Sequence, residues 1–366
     1  MDLSSRLCLM CQAAFRCFPF CSLLNTCAAM GLISIKDIAR VAKVSHSTVS
    51  RALQNSPLVN HQTAQRIQEI ARENGYRPSA VARSLVNKRT MTIGVVVTRI
   101  SDPFIAEVVN GIEDVANDHG YSVFLANSNA NPDREVKVVH SFHERRVDGI
   151  LVTASRVGAL YMPLLTETRV PTVLINNQHP GEFVHSVMID NTTASLQATE
   201  HLIQLGHKRV AYIGDRFGFQ SDTERFAGYR RALEVADIPF LPELTAHGDG
   251  NAEGGMRAME RLSALAEPPT AVFCYNDMSA LGALRAIRAK GWRVPEDISV
   301  VGFDDLFIAS YTHPALTTIS QPMRQMGSTA MEILLKLFNG ANSKTNIKVQ
   351  GQLIVRESTA TPRSAN

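Results

Sequence analysis

From residue 35 to residue 42 the chain reads IKDIARVA, and Ile35, Ile38, Ala39 and Ala42 recur at helical spacing on one face. Ser34 precedes them as a helix-capping residue, and Asp37 complements the positive end of the helix dipole. Three residues, KVS, lead to a second amphipathic stretch, HSTVSRAL, over residues 46–53, with Ser45 as its cap and Val49 and Leu53 pointing inward. A third helix, over residues 60–74, turns Thr63, Ile67 and Ile70 inward and stops at Gly75. Two short helices joined by a tight turn predict a helix-turn-helix. Pro78 in YRPS disfavours helix at Arg77, and SAVARSLVNK follows as a short helix-prone segment.

After Thr90 the texture changes. Apolar, β-branched runs alternate with longer amphipathic segments: TIGVVV, YSVFLAN, VDGILVT, VPTVLIN, RVAYIG, TAVFCYN and ISVVGFD. Continuous apolar strands alternating with helices predict parallel sheet buried on both faces. So much of this pattern exceeds one sheet, so the expected fold is α/β, with two doubly wound parallel-sheet lobes and a cleft between them. Ligands of such sheets bind beyond the carboxyl ends of the strands. The expected organisation is a leader over 1–30, a helix-turn-helix head over 31–78, a hinge helix and linker over 79–90, and a two-lobed body over 91–366.

Charge sharpens that division. Residues 31–90 hold ten Lys/Arg against three acids, a net of +7. Residues 1–30 carry +1 and the whole chain +3, which leaves −5 for residues 91–366. A basic head on a mildly acidic body predicts that the head meets a polyanion. Five of the six cysteines, Cys8, Cys11, Cys17, Cys21 and Cys27, fall in the leader; Cys274 stands far away in an apolar run. Cys8 and Cys11 make one C-x-x-C that the later spacings do not repeat, and Arg16 interrupts the apolar run that a signal peptide would need. The favoured reading is that Met30 is the true start. The remainder then has one cysteine and no disulfide framework, which fits the cytoplasm. No segment reaches the length of a membrane span.

The second helix presents an unusual face of hydroxyls, an imidazole and a guanidinium. In a helix-turn-helix that face enters the major groove, and residues near the helix start reach base edges. His46 and Ser47 hold those positions, and Arg51 lies one turn on, where a guanidinium bonds guanine O6 and N7. Thr48 and Ser50 suit phosphate contacts, which fix register. Taken alone, the same pattern also fits a solvated polar helix of a bundle.

IKDIARVAKVSHSTVSRAL, YRPSAVARSL and TIGVVV resemble the lactose/galactose repressor (LacI/GalR) family. The resemblance runs on through SDPF, RVDGILV, HLIQLGHKRVAYIG, RFAGYRRAL, PTAVFCYNDMSALGALRAI and VPEDISVVGFDD to PALTTISQP, covering essentially everything after Met30. It implies a cytoplasmic, homodimeric transcription regulator, most simply a repressor, that binds a pseudo-palindromic double-stranded DNA operator. Its effector-binding body would resemble periplasmic sugar-binding proteins. By position His46, Ser47 and Arg51 match the family's base readers, and Ala82 and Leu85 match hinge-helix residues that enter the minor groove. Apolar wedges of that kind unstack a base step and kink the duplex. Lys43 departs from the family, whose turn is often Gly at this point.

The cleft candidates stand at strand ends and crossovers: Asp102, Phe104, Asn176, Ser221, Arg225, Asn276 and Asp304. Asp102 serves either the cleft or the helix that Pro103 opens, and Phe104 is either cleft wall or core. Asp277 is expected to cap the helix after TAVFCYN, while Asn276 faces ligand in the family. Arg225, where the family clamps its effector, and Asp304 supply a forked donor and an acceptor for vicinal sugar hydroxyls; a ligand-independent salt bridge between them is the alternative. The stacking aromatics of purine-binding members are not reproduced, since Gly250 and NNQ at 176–178 stand there. A carbohydrate is therefore the expected effector.

Enzyme motifs are missing: no G-x-x-x-x-G-K-[ST], G-x-S-x-G or H-E-x-x-H occurs. HSFHE at 140–144 spaces two histidines as metal ligands, but its amphipathic setting favours a solvated helix face. No metal, cofactor or membrane partner is expected. The chain ends without heptad repeats, so no coiled-coil tail is expected.

Overall fold

The structure, a computed structural model, describes residues 33–76, 89–154, 163–167, 169–176, 185–341 and 343–363. The leader and the hinge candidates Ala82 and Leu85 lie outside the described residues. The chain divides into two units, residues 1–86 and 87–366.

In the first unit three helices, α1 (Ile35–Ala42), α2 (His46–Leu53) and α3 (His61–Glu73), close on a small core of Ile38, Ala39, Ala42, Val49, Ala52, Ile67 and Ala71. The Asp37 carboxylate accepts from Ser34 N at 3.1 Å and from Ser34 Oγ at 2.7 Å, which holds the first turn of α1. These bonds and the nearby Arg40 hold the Asp37 carboxyl below its ordinary pKa. Ser45 Oγ accepts from Thr48 N at 3.1 Å, capping α2. The turn between α1 and α2 places Lys43 at φ 56°, ψ 42°, the left-handed conformation that a glycine would adopt at less cost. Gln68 of α3 donates to Ala52 O at 3.2 Å and to Asn55 Oδ1 at 2.8 Å, fastening the end of α2 to α3.

The second unit holds two six-stranded sheets. The first uses β1 (Thr92–Val97), β2 (Ser122–Asn127), β3 (Gly149–Thr153), β4 (Thr172–Ile175), β5 (His185–Ile189) and β11 (Thr345–Val349), in the order β11-β5-β4-β3-β1-β2, all parallel. The second uses β6 (Val210–Asp215), β7 (Thr245–Gly248), β8 (Ala271–Cys274), β9 (Ser299–Asp304), β10 (Thr317–Ser320) and β12 (Gln352–Ile354), in the order β12-β10-β9-β8-β6-β7. Only β12 runs antiparallel to its neighbour among the described pairs. The chain therefore crosses from the first lobe to the second after β5, returns after β10, and crosses again after β11.

The helices of the body are α4 (Pro103–Asp118), α5 (Pro132–Glu144), α6 (Asn191–Gln204), α7 (Gln220–Val235), α8 (Ala252–Ser263), α9 (Asp277–Ala289) and α10 (Met323–Phe338). Helices α4 and α10 share the core on one face of the first sheet with Ile93, Val95, Leu151 and Val173. They touch backbone to backbone. A Cβ at Gly111 would stand 2.0 Å from Arg324 O, and one at Gly327 2.0 Å from Val108 O.

One strand departs from expectation. YSVFLAN was expected to be buried on both faces, but β2 is the edge of its sheet, and Phe124 and Leu125 remain 47% and 38% exposed. No helix among the described residues is long and apolar enough to cross a membrane.

Candidate functional site

Two surfaces carry the predicted residues. On α2, His46, Ser47 and Arg51 are exposed while Val49 and Ala52 are buried, so the capped helix turns its polar edge outward on an apolar base. Thr48 and Ser50 are half-buried beside them. Ser45 Oγ lies 2.8 Å from both Ser47 Oγ and Thr48 Oγ1, a hydroxyl cluster at the start of the helix. Leu53, expected inward, packs partly against the core.

The second surface is a cavity of about 110 Å³ in the body, lined by all seven cleft candidates. They converge because each lies at or beyond the carboxyl end of a parallel strand. Asp102 and Phe104 come after β1, Asn176 after β4, Ser221 and Arg225 in α7 after β6, Asn276 after β8, and Asp304 ends β9. Several of these chain reversals need left-handed backbone, at Ala154 (φ 49°), Asn176 (φ 52°), Asp304 (φ 116°) and Asp305 (φ 58°). Non-glycine residues in that region store strain, a recurrent feature of binding sites.

Asp102 caps a helix and also faces the cavity. Its Oδ1 accepts from Phe104 N at 3.0 Å, capping α4, while the residue lines the cavity. Phe104 likewise lines the cavity and packs against the first-lobe core. Ser221 Oγ lies 3.0 Å from Tyr275 OH. Arg225, only 3% exposed, donates Nε to Asn191 Oδ1 at 2.9 Å and Nη1 to Tyr275 O. Its guanidinium carbon lies 3.6 Å from the Phe303 ring centroid and 4.7 Å from that of Tyr275. Asp304 Oδ1 accepts from Gln321 Nε2 at 2.6 Å. The alternative salt bridge between Arg225 and Asp304 does not form, because each side chain is held by neutral partners.

Burial dominates the electrostatics. Desolvation raises the carboxyl pKa of Asp304, with Asp277 and Asp102 pushing the same way and the Arg225 charge and the Gln321 hydrogen bond opposing. Burial also raises Asp102, against its cap bond and Arg99. Asp222 is raised by burial too. Its Oδ1 accepts from Tyr212 OH at 2.7 Å and from Asp215 N at 3.0 Å, fixing the end of β6 where Asp215 lines the cavity.

The cap of α9 falls one residue earlier than expected, on Asn276 and not Asp277, and Asn276 also lines the cavity. Asn276 caps the helix, its Oδ1 accepting from Ser279 N at 2.9 Å, and its Nδ2 donates to Gly250 O at 2.9 Å. Asp277 is fully buried, accepting from Thr318 Oγ1 at 2.6 Å and Leu306 N at 2.7 Å. An extended backbone at Asn276 lets its short amide reach the third helical N–H, while Asp277 points under β9.

A family model described as bacterial regulatory proteins, lacI family, matches residues 34–79, and one described as a periplasmic binding protein-like domain matches residues 199–359. The regulator RegA of Clostridium saccharobutylicum is 38% identical over 328 residues, covering 89% of this chain and 99% of RegA. The chain belongs to the lacI family. Its structure is similar to the Lac repressor dimer bound to operator and the anti-inducer ONPF, with a TM-score of 0.83 and 29% identity over 90% of this chain and 100% of that one. It is also similar to the transcriptional regulator CelR in complex with cellobiose, with a TM-score of 0.68 and 31% identity over 89% of this chain and 99% of that one. This lacI-family chain is a DNA-binding transcriptional repressor and not an enzyme.

The lacI-family cleft also holds residues that the sequence reading passed over. Phe217, Phe219 and Tyr275 line it with Phe104, so flat apolar surface is present although Gly250 and Asn176 supply none. Arg99, Asp215, Asp249 and Gln321 add polar groups. Tyr275 and Gln321 were findable as the first residues past strand ends and Asp215 as the last residue of one; Arg99, Phe217, Phe219 and Asp249 lie in loops without pattern. Among the described residues no group of three or more His, Cys, Asp or Glu is placed to hold a metal. His140 is exposed and His143 half-buried on α5.

Proposed function

We propose that the chain is a homodimeric cytoplasmic repressor whose affinity for a pseudo-palindromic operator is set by a carbohydrate bound in the cleft. The head over residues 31–78 would read bases through His46, Ser47 and Arg51 and fix its register on phosphates through Thr48 and Ser50. Ala82 and Leu85, in the hinge segment over 79–90, would enter the minor groove. The body over 91–366 would bind effector and dimerise.

The observation that carries the effector reading is the make-up of the cleft wall. Carboxylates of Asp102 and Asp304, the amide of Asn276 and the guanidinium of Arg225 meet aromatic faces in one small cavity. Hydroxyls pair with such acceptors and forked donors, and the C–H face of a sugar ring lies against an aromatic ring. The cellobiose complex of CelR supports the same class. A nucleoside, a sugar derivative carrying a planar base, is the second reading, favoured by Phe217 and Phe219 beside the polar groups.

The DNA reading is tested on the duplex that the full chain selects from random sequence. Arg51→Ala should cost about 1–3 kcal/mol on that duplex and relax preference at one symmetric base position. Parent binding should weaken steeply with salt. A uniform loss over all sequences would make Arg51 a phosphate contact instead.

A further inference from the structure

Helix α10 begins at the cleft and ends at the first described residues of the body. Gln321, two residues before it, lines the cavity and donates Nε2 to Asp304 Oδ1 at 2.6 Å, while its backbone N donates to Asp304 O at 3.2 Å. Gln321 Oε1 is buried without a hydrogen-bond partner among the described residues. At the far end the last carbonyls of a helix lack intrahelical donors. Lys336 O and Leu337 O take backbone N–H groups of residues 339–341, but Phe338 O takes a side chain, Arg89 Nη2, at 3.1 Å. The Arg89 guanidinium carbon stands 5.6 Å from the Phe338 ring centroid, and its Nη1 lies 3.5 Å from Tyr121 OH.

The residues next to Arg89 are also held by side chains. Thr90 N donates to Asp148 Oδ1 at 2.8 Å and Met91 N to Asp148 Oδ2 at 2.9 Å. Between its two ends α10 is stiff. Its sixteen residues span about 24 Å at helical rise, and the close approaches of Gly111 to Arg324 and of Gly327 to Val108 seat it directly on α4. Helix α4 in turn carries Asp102 and Phe104 at the cleft. A rearrangement around Asp304 and Asp102 thus acts on both helices at once, and a shift of α10 arrives at Phe338 O.

We infer that Arg89 is a positioning residue that couples the cleft to the DNA-binding head by gripping the C-terminal carbonyl of α10. The inference rests on reading the cleft as the effector site. A guanidinium is drawn to the negative end of a helix dipole, and this exposed contact can break and re-form without disturbing a core. Arg89 lies at the end of the linker segment, three residues before β1, on the covalent path between body and head.

The test needs no identified effector, because Gln321→Met breaks the Asp304 bond from inside the cleft. Operator dissociation constants are measured by fluorescence anisotropy on the full chain, with the duplex it selects from random DNA. The variants are Gln321→Met, Arg89→Met, both together, and Gln321→Met with Arg89→Lys, each with a melting curve. Distant residues without shared partners ordinarily have multiplicative effects. Here Gln321→Met should shift operator affinity at least fivefold in the parent and less than twofold beside Arg89→Met. Arg89→Lys, which keeps a cationic donor, should restore most of the shift. Multiplicative effects, or Lys behaving as Met, overturn the role of Arg89. A Gln321→Met protein that melts and binds operator like the parent overturns the cleft reading and this inference with it.

Discussion

The guanidinium carbon of Arg225 lies 3.6 Å from the centroid of the Phe303 ring, one residue before Asp304. With Asn191 Oδ1 and Tyr275 O also on Arg225, the side chain is as much a strut of the second lobe as a donor to ligand. Arg225→Ala should therefore lower the stability of the body by about 1–3 kcal/mol for each buried acceptor it abandons. Arg225→Lys should not recover the forked donor pair or the close approach to the Phe303 ring. Urea denaturation followed by circular dichroism should show an early body transition, with the head transition unmoved. A parent-like body transition would make Arg225 a ligand contact only.

Lys43 pays for a turn that glycine makes freely, since its φ of 56° brings Cβ against the backbone at a cost of about 1–2 kcal/mol. Glycine loses more entropy on folding, which offsets part of the gain. Lys43→Gly should still stabilise the head by up to about 1 kcal/mol, read from its thermal transition in the full chain. A destabilised head would mean that Lys43 contributes more than its backbone.

Asp277 gives the body a pH dependence of definite sign. Burial raises its pKa to about 7 and Asp305 adds to this, while Thr318, the Leu306 N–H and Arg356 oppose. The folded state holds this proton more tightly than the unfolded chain. Its contribution is present below about pH 4 and lost as pH rises through about 7. His185, His201 and His207, whose pKa values burial lowers, slope the opposite way, so the test is the difference from the parent: Asp277→Asn should gain stability at pH 7.5 relative to pH 5.5. Asp304, Asp102 and Asp222, raised in the same direction by burial, contribute to the slope that remains. A slope unchanged from the parent in Asp277→Asn would locate the proton elsewhere.

Much of this architecture was legible in the chain because its signals are local. Ser34, Ser45 and Gly75 mark helix ends, and the long apolar runs mark the central strands of both sheets. The strands β5, β7, β10, β11 and β12 escaped because they are short or lie toward sheet edges, where polar residues are tolerated, as in TAHG and TNIKV. The cleft was legible wherever a polar residue follows an apolar strand, as at Asn276 and Asp304. The aromatic wall of Phe217 and Phe219 was not, because a loop residue's direction is set by tertiary packing and leaves no periodicity. The cap of α9 was assigned to Asp277 instead of Asn276 for a related reason: both are good capping residues, and only the backbone conformation at Asn276 decides between them.

The control of operator binding by a cleft ligand is tested most directly by titrating the selected duplex with the full chain, with and without each member of a panel of mono- and disaccharides and nucleosides. At least one sugar should change the operator dissociation constant by about 5- to 150-fold, the usual range of allosteric coupling. The same sugar should leave operator affinity unchanged in Asp304→Asn, whose lobe retains Arg225 and its stack. A response to nucleosides alone would move the effector to the second reading. Tight, salt-sensitive binding of the duplex that no member of the panel alters would contradict a carbohydrate-controlled repressor.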